Sequence, residues 1–152
     1  DSLNSIHNYN IDWIAMAYKN ILVSLCGRGD EKKVIEASIK MAKANNGNLT
    51  FIHVNEPHAG EMSMMMNALP PKYTESDIYD RVSAIDEASA NSSTITIIKS
   101  ESIPKAISAA AEGQDILVLG HRKQNIFKKN FFDSVDEGIM NSVDCPVLVV
   151  PK

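Results

Sequence analysis

Five short apolar runs, separated by longer segments with helical spacing, restrict the fold of this 152-residue chain more than any other feature. The runs are Asn20–Leu25, Asn48–Val54, Thr94–Ile98, Asp115–Leu119 and Pro146–Val150. Each is nearly continuous rather than alternating, which is typical of strands covered on both faces. Strands joined by helices predict a parallel sheet with right-handed connections. We therefore expect a doubly wound α/β domain with five parallel strands, in three layers α/β/α.

Four segments with helical spacing connect these runs. The first is expected to be capped by Asp30 and to end at Asn46-Gly47, and the others to begin near Thr74, Ser102 and Asp133. Mostly apolar side chains three or four positions apart would cover the sheet. They are Val34, Ile35, Ser38, Ile39 and Ala42; Ile78, Val82 and Ile85; Ala106, Ile107, Ala110 and Ala111; and Val135, Ile139 and Val143. One domain is predicted over residues 16–152, with residues 1–15 as a leader or extension outside the fold.

Composition narrows the classes of partner. The net charge of −4 and the pI near 5.5 disfavour a nucleic-acid or membrane-surface binder, since both need a basic field. No apolar run approaches the roughly 20 residues that span a bilayer. The two cysteines, Cys26 and Cys145, adjoin core strands, so a reduced, cytoplasmic protein is expected.

The segment from Gly120 to Ser134 contains the parts of a phosphate-binding site. A strand ends at Leu119, Gly120 follows, and a helix begins at Ser134 after a basic loop. Free N–H groups and the dipole at a helix N-terminus favour an anion. Two positions that would suit glycine hold Lys123 and Asp133 instead. A lysine side chain obstructs close approach of a ligand to the backbone, and a carboxylate at the helix N-terminus takes up the free N–H groups itself.

The ordered set of segments resembles the universal stress protein family. Similar pieces are Met16–Val23, Leu49–Val54, Asp115–Gly120, Ser134-Val135 and Asp144–Val150, so the likeness runs from Met16 to Lys152. The resemblance implies an adenine-nucleotide alpha-hydrolase-like fold. It also implies a homodimer in which the final strand, Val147–Val150, pairs with its copy across a two-fold axis.

The ATP-binding branch of this family carries G-x2-G-x9-G-[ST] after the fourth strand and an acidic residue for the ribose after the first. By this pattern the candidate nucleotide-binding residues are Val54, Leu119, Gly120, Lys123, Ser134 and Val135. Lys123 and Asp133 stand at the second and third glycines, and Cys26 stands at the acidic position. A thiol cannot accept ribose hydroxyls as a carboxylate does. Together these departures predict a member that does not bind ATP in the usual family pose.

The leading hypothesis is a non-enzymatic, dimeric stress-response module with an unidentified protein partner and no cofactor. The alternative is a regulatory switch that binds ATP or AMP, with a modified phosphate loop over Gly120 to Ser134. An RNA-binding protein is a third, disfavoured class. No catalytic residue is assigned, because the chain has no G-x-S-x-G motif and Gly27-Arg28-Gly29 lacks the third glycine of a dinucleotide fingerprint.

Two loops leave alternatives open. The cations Arg122, Lys123, Lys128 and Lys129 form a basic loop that either binds phosphate or an acidic partner or is simply solvated. A methionine cluster lies near His58 in the sequence and consists of Met62, Met64, Met65 and Met66. Thioether sulfurs resemble a soft-metal ligand set. An adaptable hydrophobic lid or dimer contact is favoured, and no metal site is predicted.

Two further residues border the predicted site. Cys26 has no basic neighbour in the sequence, so a buried and unreactive thiol is expected. His53 ends the second strand and is expected to be a core residue whose hydrogen bonds are satisfied.

Overall fold

The five predicted strands form one parallel sheet. They are β1 (Asn20–Ser24), β2 (Asn48–Asn55), β3 (Thr94–Lys99), β4 (Ile116–His121) and β5 (Val147–Pro151), in the order β3-β2-β1-β4-β5. The computed structural model describes residues 18–27, 29–61, 71–121 and 134–152. All four pairings are parallel, so the predicted sheet is confirmed.

Five helices accompany the sheet in the described residues, where four were predicted. They are α1 (Lys32–Asn45), α2 (Glu75–Ser83), α3 (Glu87–Ser92), α4 (Ile103–Ala110) and α5 (Ser134–Ser142). The unpredicted α3 has six residues and buries only Ala90. A single buried side chain produces no helical period, so the sequence gives no signal for this helix.

The helices divide between the two faces of the sheet, as a doubly wound fold requires. On one face Ile21 and Val23 pack against α1, α2 and α3, and on the other Leu22 packs against α4 and α5. These three β1 side chains are at most 1% exposed. Burial on both faces explains why the runs are continuously apolar instead of alternating.

Two local expectations are wrong. Asp30 does not cap α1; the N-cap is Glu31, which makes no side-chain capping bond because its carboxylate reaches back into the preceding turn. Val135 was expected to face the sheet but is 37% exposed. It lies in the first turn of α5, at the open carboxyl edge of the sheet, whereas Ile139 one turn later is buried.

Asp115 joins the starts of the two central strands. Its Oδ2 accepts the N–H groups of Lys19 at 3.0 Å and Asn20 at 2.7 Å, and its own N–H donates to the Asn20 carbonyl at 2.8 Å. The side chain therefore fixes the position of β1 against β4 before their ladder begins.

Replacing Asp115 with Ala should lower the free energy of unfolding by about 1–3 kcal/mol, because two backbone donors lose a charged acceptor. Urea unfolding followed by circular dichroism measures the change. The exposed Glu112→Ala is the control and should change stability by less than about 0.5 kcal/mol. Equal midpoints for Asp115→Ala and the parent chain would contradict this role.

Candidate functional site

The neighbouring strands β1 and β4 create a crevice at the carboxyl edge of the sheet. β1 is followed by α1 on one face, and β4 is followed by α5 on the other. Doubly wound sheets bind ligands where the connections that follow two neighbouring strands lie on opposite faces of the sheet. The crevice holds a cavity of about 540 Å³, a volume typical of small-molecule sites. Its walls come from the ends of β1, β2 and β4 and from the first turns of α4 and α5.

Four of the six predicted site residues line this cavity together. They are Val54, Leu119, Gly120 and Val135. Ser134 is the first residue of α5. Lys123 and Asp133 lie outside the described residues, as do the basic loop and the methionine cluster.

Val54 presents main chain rather than a reactive side chain to the cavity. The β1–β2 ladder ends at Ser24 and Ile52, with one further bond from the Leu25 N–H to the Ile52 carbonyl at 2.9 Å. Backbone direction alternates along a strand, so the peptide groups of Val54 face the same side as those of Ile52. β1 ends at Ser24, so no residue of β1 lies beside the Val54 peptide groups. A flat heterocycle with an adjacent donor and acceptor could therefore pair with this main chain.

Gly120 leaves space that other side chains of the protein fill. A methyl group there would lie 2.3 Å from Cε of Lys152 and 2.7 Å from Cγ2 of Val34. The Lys152 stem thus crosses the end of β4 at the position where a side chain on residue 120 would project. The glycine that the sequence assigned to a phosphate cradle makes room for a lysine.

A buried carboxylate shapes the turn after β1. Glu31 is 2% exposed, and its Oε1 accepts the N–H groups of Cys26 and, at 3.1 Å, Gly27. Its Oε2 lies 3.2 Å from Nη1 of Arg81, whose Nη2 donates to the Gly27 carbonyl at 3.2 Å. The Glu31–Arg81 ion pair therefore binds two N–H groups and one carbonyl of this turn.

Tyr73 extends this network to the end of β2. The Arg81 guanidinium carbon lies 4.8 Å from the Tyr73 ring centroid, and the His53 ring meets that ring edge-on at 5.0 Å. The Asn55 amide pairs with both backbone groups of Tyr73, donating at 2.8 Å and accepting at 3.1 Å. A methyl group on Gly27, which has φ of +80°, would lie 2.4 Å from Cε2 of Tyr73.

His53 is buried, as expected, and joins two strand ends. Its Nδ1 lies 2.7 Å from the Leu25 carbonyl and Nε2 lies 3.1 Å from Oδ1 of Asn55. The imidazole thus ties the end of β1 to the end of β2 across the cavity wall.

Comparison with known families decides the relationship. A model described as the universal stress protein family matches residues 17–151. The chain belongs to the universal stress protein family. No curated protein sequence matches it.

Solved universal stress proteins share the fold. One from Archaeoglobus fulgidus has a TM-score of 0.63 at 19% identity, over 88% of this chain and 98% of its own. One in complex with cAMP has a TM-score of 0.57 at 19% identity, over 88% and 97%. An Archaeoglobus fulgidus protein in complex with dAMP has a TM-score of 0.50 at 16% identity, over 89% and 99%.

The environment of Cys26 in this universal stress protein contradicts the expectation of a buried thiol. Cys26 is exposed rather than buried, and its Sγ lies 3.0 Å from Nζ of Lys152. The same Nζ is 3.3 Å from Oδ1 of Asp30. Burial would lower the pKa of the Lys152 ammonium, but the Cys26 hydrogen bond and the charges of Glu31 and Asp30 raise it above its ordinary value.

Sequence reasoning missed the cationic partner of Cys26 because Lys152 is 126 positions away. Glu31 and Arg81 are 50 positions apart and gave no local pattern either. The register of the predicted sheet offers the only signal: Lys152 follows β5, which pairs with β4 beside β1.

Two other kinds of site are absent from residues 18–27, 29–61, 71–121 and 134–152. Within these ranges no three His, Cys, Asp or Glu side chains come together as metal ligands. In the same part of the chain, no helix is both long and apolar enough to cross a membrane.

Replacing Arg81 with Ala should destabilise the protein by about 3 kcal/mol, because it leaves the buried Glu31 carboxylate without its charge partner. Chemical denaturation measures the loss. The matched control is Lys32→Ala, which removes the exposed Lys32–Glu36 pair and should cost less than about 0.5 kcal/mol. Similar losses in both variants would show that the buried pair has no special role.

Proposed function

We propose that this chain is a non-catalytic regulatory module that binds an adenine mononucleotide in the cavity and does not bind ATP in the usual family pose. The observation that carries the proposal is the cavity itself, which gathers Val54, Leu119, Gly120 and Val135 at one edge of the sheet. Two universal stress proteins of the same fold are complexes with cAMP and with dAMP, which supports a ligand of this size.

The main chain of Val54 gives this ligand its base contact. The adenine edge carries an acceptor next to an amino donor, which complements one peptide N–H and one C=O. Apolar side chains of Ile107, Leu119 and Ile139 form the cavity wall on the α4 and α5 face, where a flat ring would lose contact with water.

The far end of the cavity disfavours a long phosphate chain. α5 carries Asp136 and Glu137 in its first turn, and Asp136 lines the cavity. In the sequence Asp133 directly precedes the helix. Each carboxylate near a phosphate costs about 1 kcal/mol in water at 4 Å, and more where solvent is excluded. A triphosphate meets more of this repulsion than a monophosphate does.

A homodimer through β5 is the second part of the proposal. β5 is an edge strand, and its four valine and leucine side chains at 147–150 remain half-buried. An apolar edge is a liability unless another chain covers it. Pairing of two β5 strands across a two-fold axis would extend the sheet and cover these residues.

The same proposal places the protein in the cytoplasm as a partner-binding module of the stress response. Support comes from Cys26 and Cys145, which are both reduced thiols and suit a reducing compartment. The protein partner is unidentified.

Isothermal titration should give AMP or cAMP a Kd below about 100 μM, which corresponds to roughly −5.5 kcal/mol, with ATP at least tenfold weaker. Val135→Trp should weaken AMP binding by about tenfold or more, because the indole fills the mouth of the cavity from a position that is 37% exposed. Asn141→Trp, exposed on the same helix, is the control. Absence of heat with every adenine nucleotide at millimolar concentration would refute the proposal, as would equal affinity in Val135→Trp.

Val149→Pro should convert the dimer to a monomer with little loss of fold. The Pro146 carbonyl and the Lys152 N–H bond to β4, so by strand alternation the Val149 N–H faces outward. Proline there removes an outward donor and leaves the β4 ladder intact. Size exclusion with light scattering gives the mass, and circular dichroism reports folding. A parent chain that is strictly monomeric at micromolar concentration, or a Val149→Pro dimer, would disprove pairing through β5.

A further inference from the structure

Three titratable side chains from distant segments meet at the mouth of the cavity. Cys26 comes from the turn after β1, Asp30 from the residues before α1, and Lys152 from the residue after β5. The Lys152 ammonium lies 3.0 Å from the Cys26 sulfur and 3.3 Å from the Asp30 carboxylate. Both Cys26 and Lys152 line the cavity.

The ammonium is held in place by packing as well as by charge. The Lys152 side chain is 8% exposed, and its stem occupies the space over Gly120 that a β-carbon would fill. The Lys152 N–H donates to the His121 carbonyl at 2.9 Å, which fixes the backbone of the residue to β4. The pairing of the strands and the packing of the Lys152 stem therefore fix the ammonium beside the sulfur.

This placement favours the thiolate form of Cys26. A cation at hydrogen-bond distance stabilises sulfur in its charged state, and the thiolate is the reactive form of cysteine. Glu31 opposes this only in part because it is paired with Arg81, whereas Asp30 shares the Lys152 cation with the sulfur and weakens its effect. Cys26 is also exposed, so small electrophiles reach it.

Cys145 provides a contrast within the same chain. It is partly buried, and burial raises the pKa of its thiol. Its sulfur is therefore held in the less reactive, protonated form at neutral pH.

We propose that Cys26 is a site of oxidation by hydroperoxides, activated by Lys152. The Cys26 thiolate attacks one oxygen of hydrogen peroxide; an S–O bond forms as the O–O bond breaks, and hydroxide leaves and takes a proton from solvent. The sulfur loses two electrons and becomes a sulfenic acid, and the peroxide is reduced to water. The product adds a polar oxygen to the cavity mouth.

If the cavity binds a nucleotide as proposed above, occupancy regulates this chemistry. Because Cys26 lines the cavity, a bound ligand covers its sulfur and slows the reaction of the thiolate with peroxide. Only this regulatory step rests on the proposed function; activation by Lys152 does not.

The test measures modification of the full chain by mass spectrometry. Iodoacetamide should label Cys26 at pH 7 about tenfold faster than Cys145, and peroxide with dimedone should trap a sulfenic acid at Cys26. Lys152→Met keeps the stem over Gly120 and removes the charge. It should slow labelling of Cys26 by about fivefold or more and move the pH midpoint of the rate upward. Lys33→Met, on the exposed face of α1, should change neither.

Four outcomes separate the parts of the proposal. A Cys26 rate that Lys152→Met leaves unchanged overturns activation by Lys152, because exposure alone then explains the labelling. Absence of the dimedone adduct in the parent chain overturns the peroxide chemistry. AMP that binds by calorimetry and leaves the Cys26 rate unchanged overturns regulation by occupancy. Lys152-dependent labelling in a chain that binds no nucleotide sustains the thiol site while the proposed function fails.

Discussion

The ion pair between Glu31 and Arg81 is the interaction on which the carboxyl edge of this sheet depends. Glu31 binds two backbone donors of the turn after β1, and Arg81 binds an acceptor of the same turn. A buried carboxylate without a partner is costly, so the turn and α2 must be in place together. Arg81 also lies over Tyr73, whose backbone is bound by Asn55 at the end of β2. The cavity wall is thus assembled from three segments through one charge pair.

The departures from the ATP-binding pattern coincide with contacts that hold the strand ends together. Position 26 holds a thiol and not the carboxylate of the expected pattern, but Glu31 keeps a negative charge a few residues away, where it binds the backbone of the turn. At Gly120 the Lys152 stem occupies the space that a side chain would fill. The residues around the cavity therefore hold the strand ends in place and also determine which charges a ligand would contact. A ligand with one phosphate is compatible with both.

The sheet was predictable from sequence because burial on both faces imposes continuous apolar runs, as at Ile21, Leu22 and Val23. Four cavity residues followed from the family pattern and strand ends. The polar part of the site was not predictable. Glu31 and Arg81 are 50 positions apart and Cys26 and Lys152 are 126 apart, and neither pair has a spacing rule. Even Asp30, read as a helix cap, proved to be a partner of Lys152, because a local motif competes with tertiary contacts that the sequence does not display.

Lys152 connects these observations, because its position depends on the pairing of β5 with β4. The residue follows an edge strand, and its N–H extends the β4 ladder by one bond. Any event that covers or displaces β5 therefore acts on the ammonium beside Cys26. A dimer formed through the outer edge of β5 would hold that strand more firmly and keep the cation against the sulfur. Dissociation would loosen the same strand. If β5 forms the proposed dimer and the cavity binds the proposed nucleotide, dimerisation, ligand binding and the reactivity of the thiol would be coupled through the Lys152 side chain.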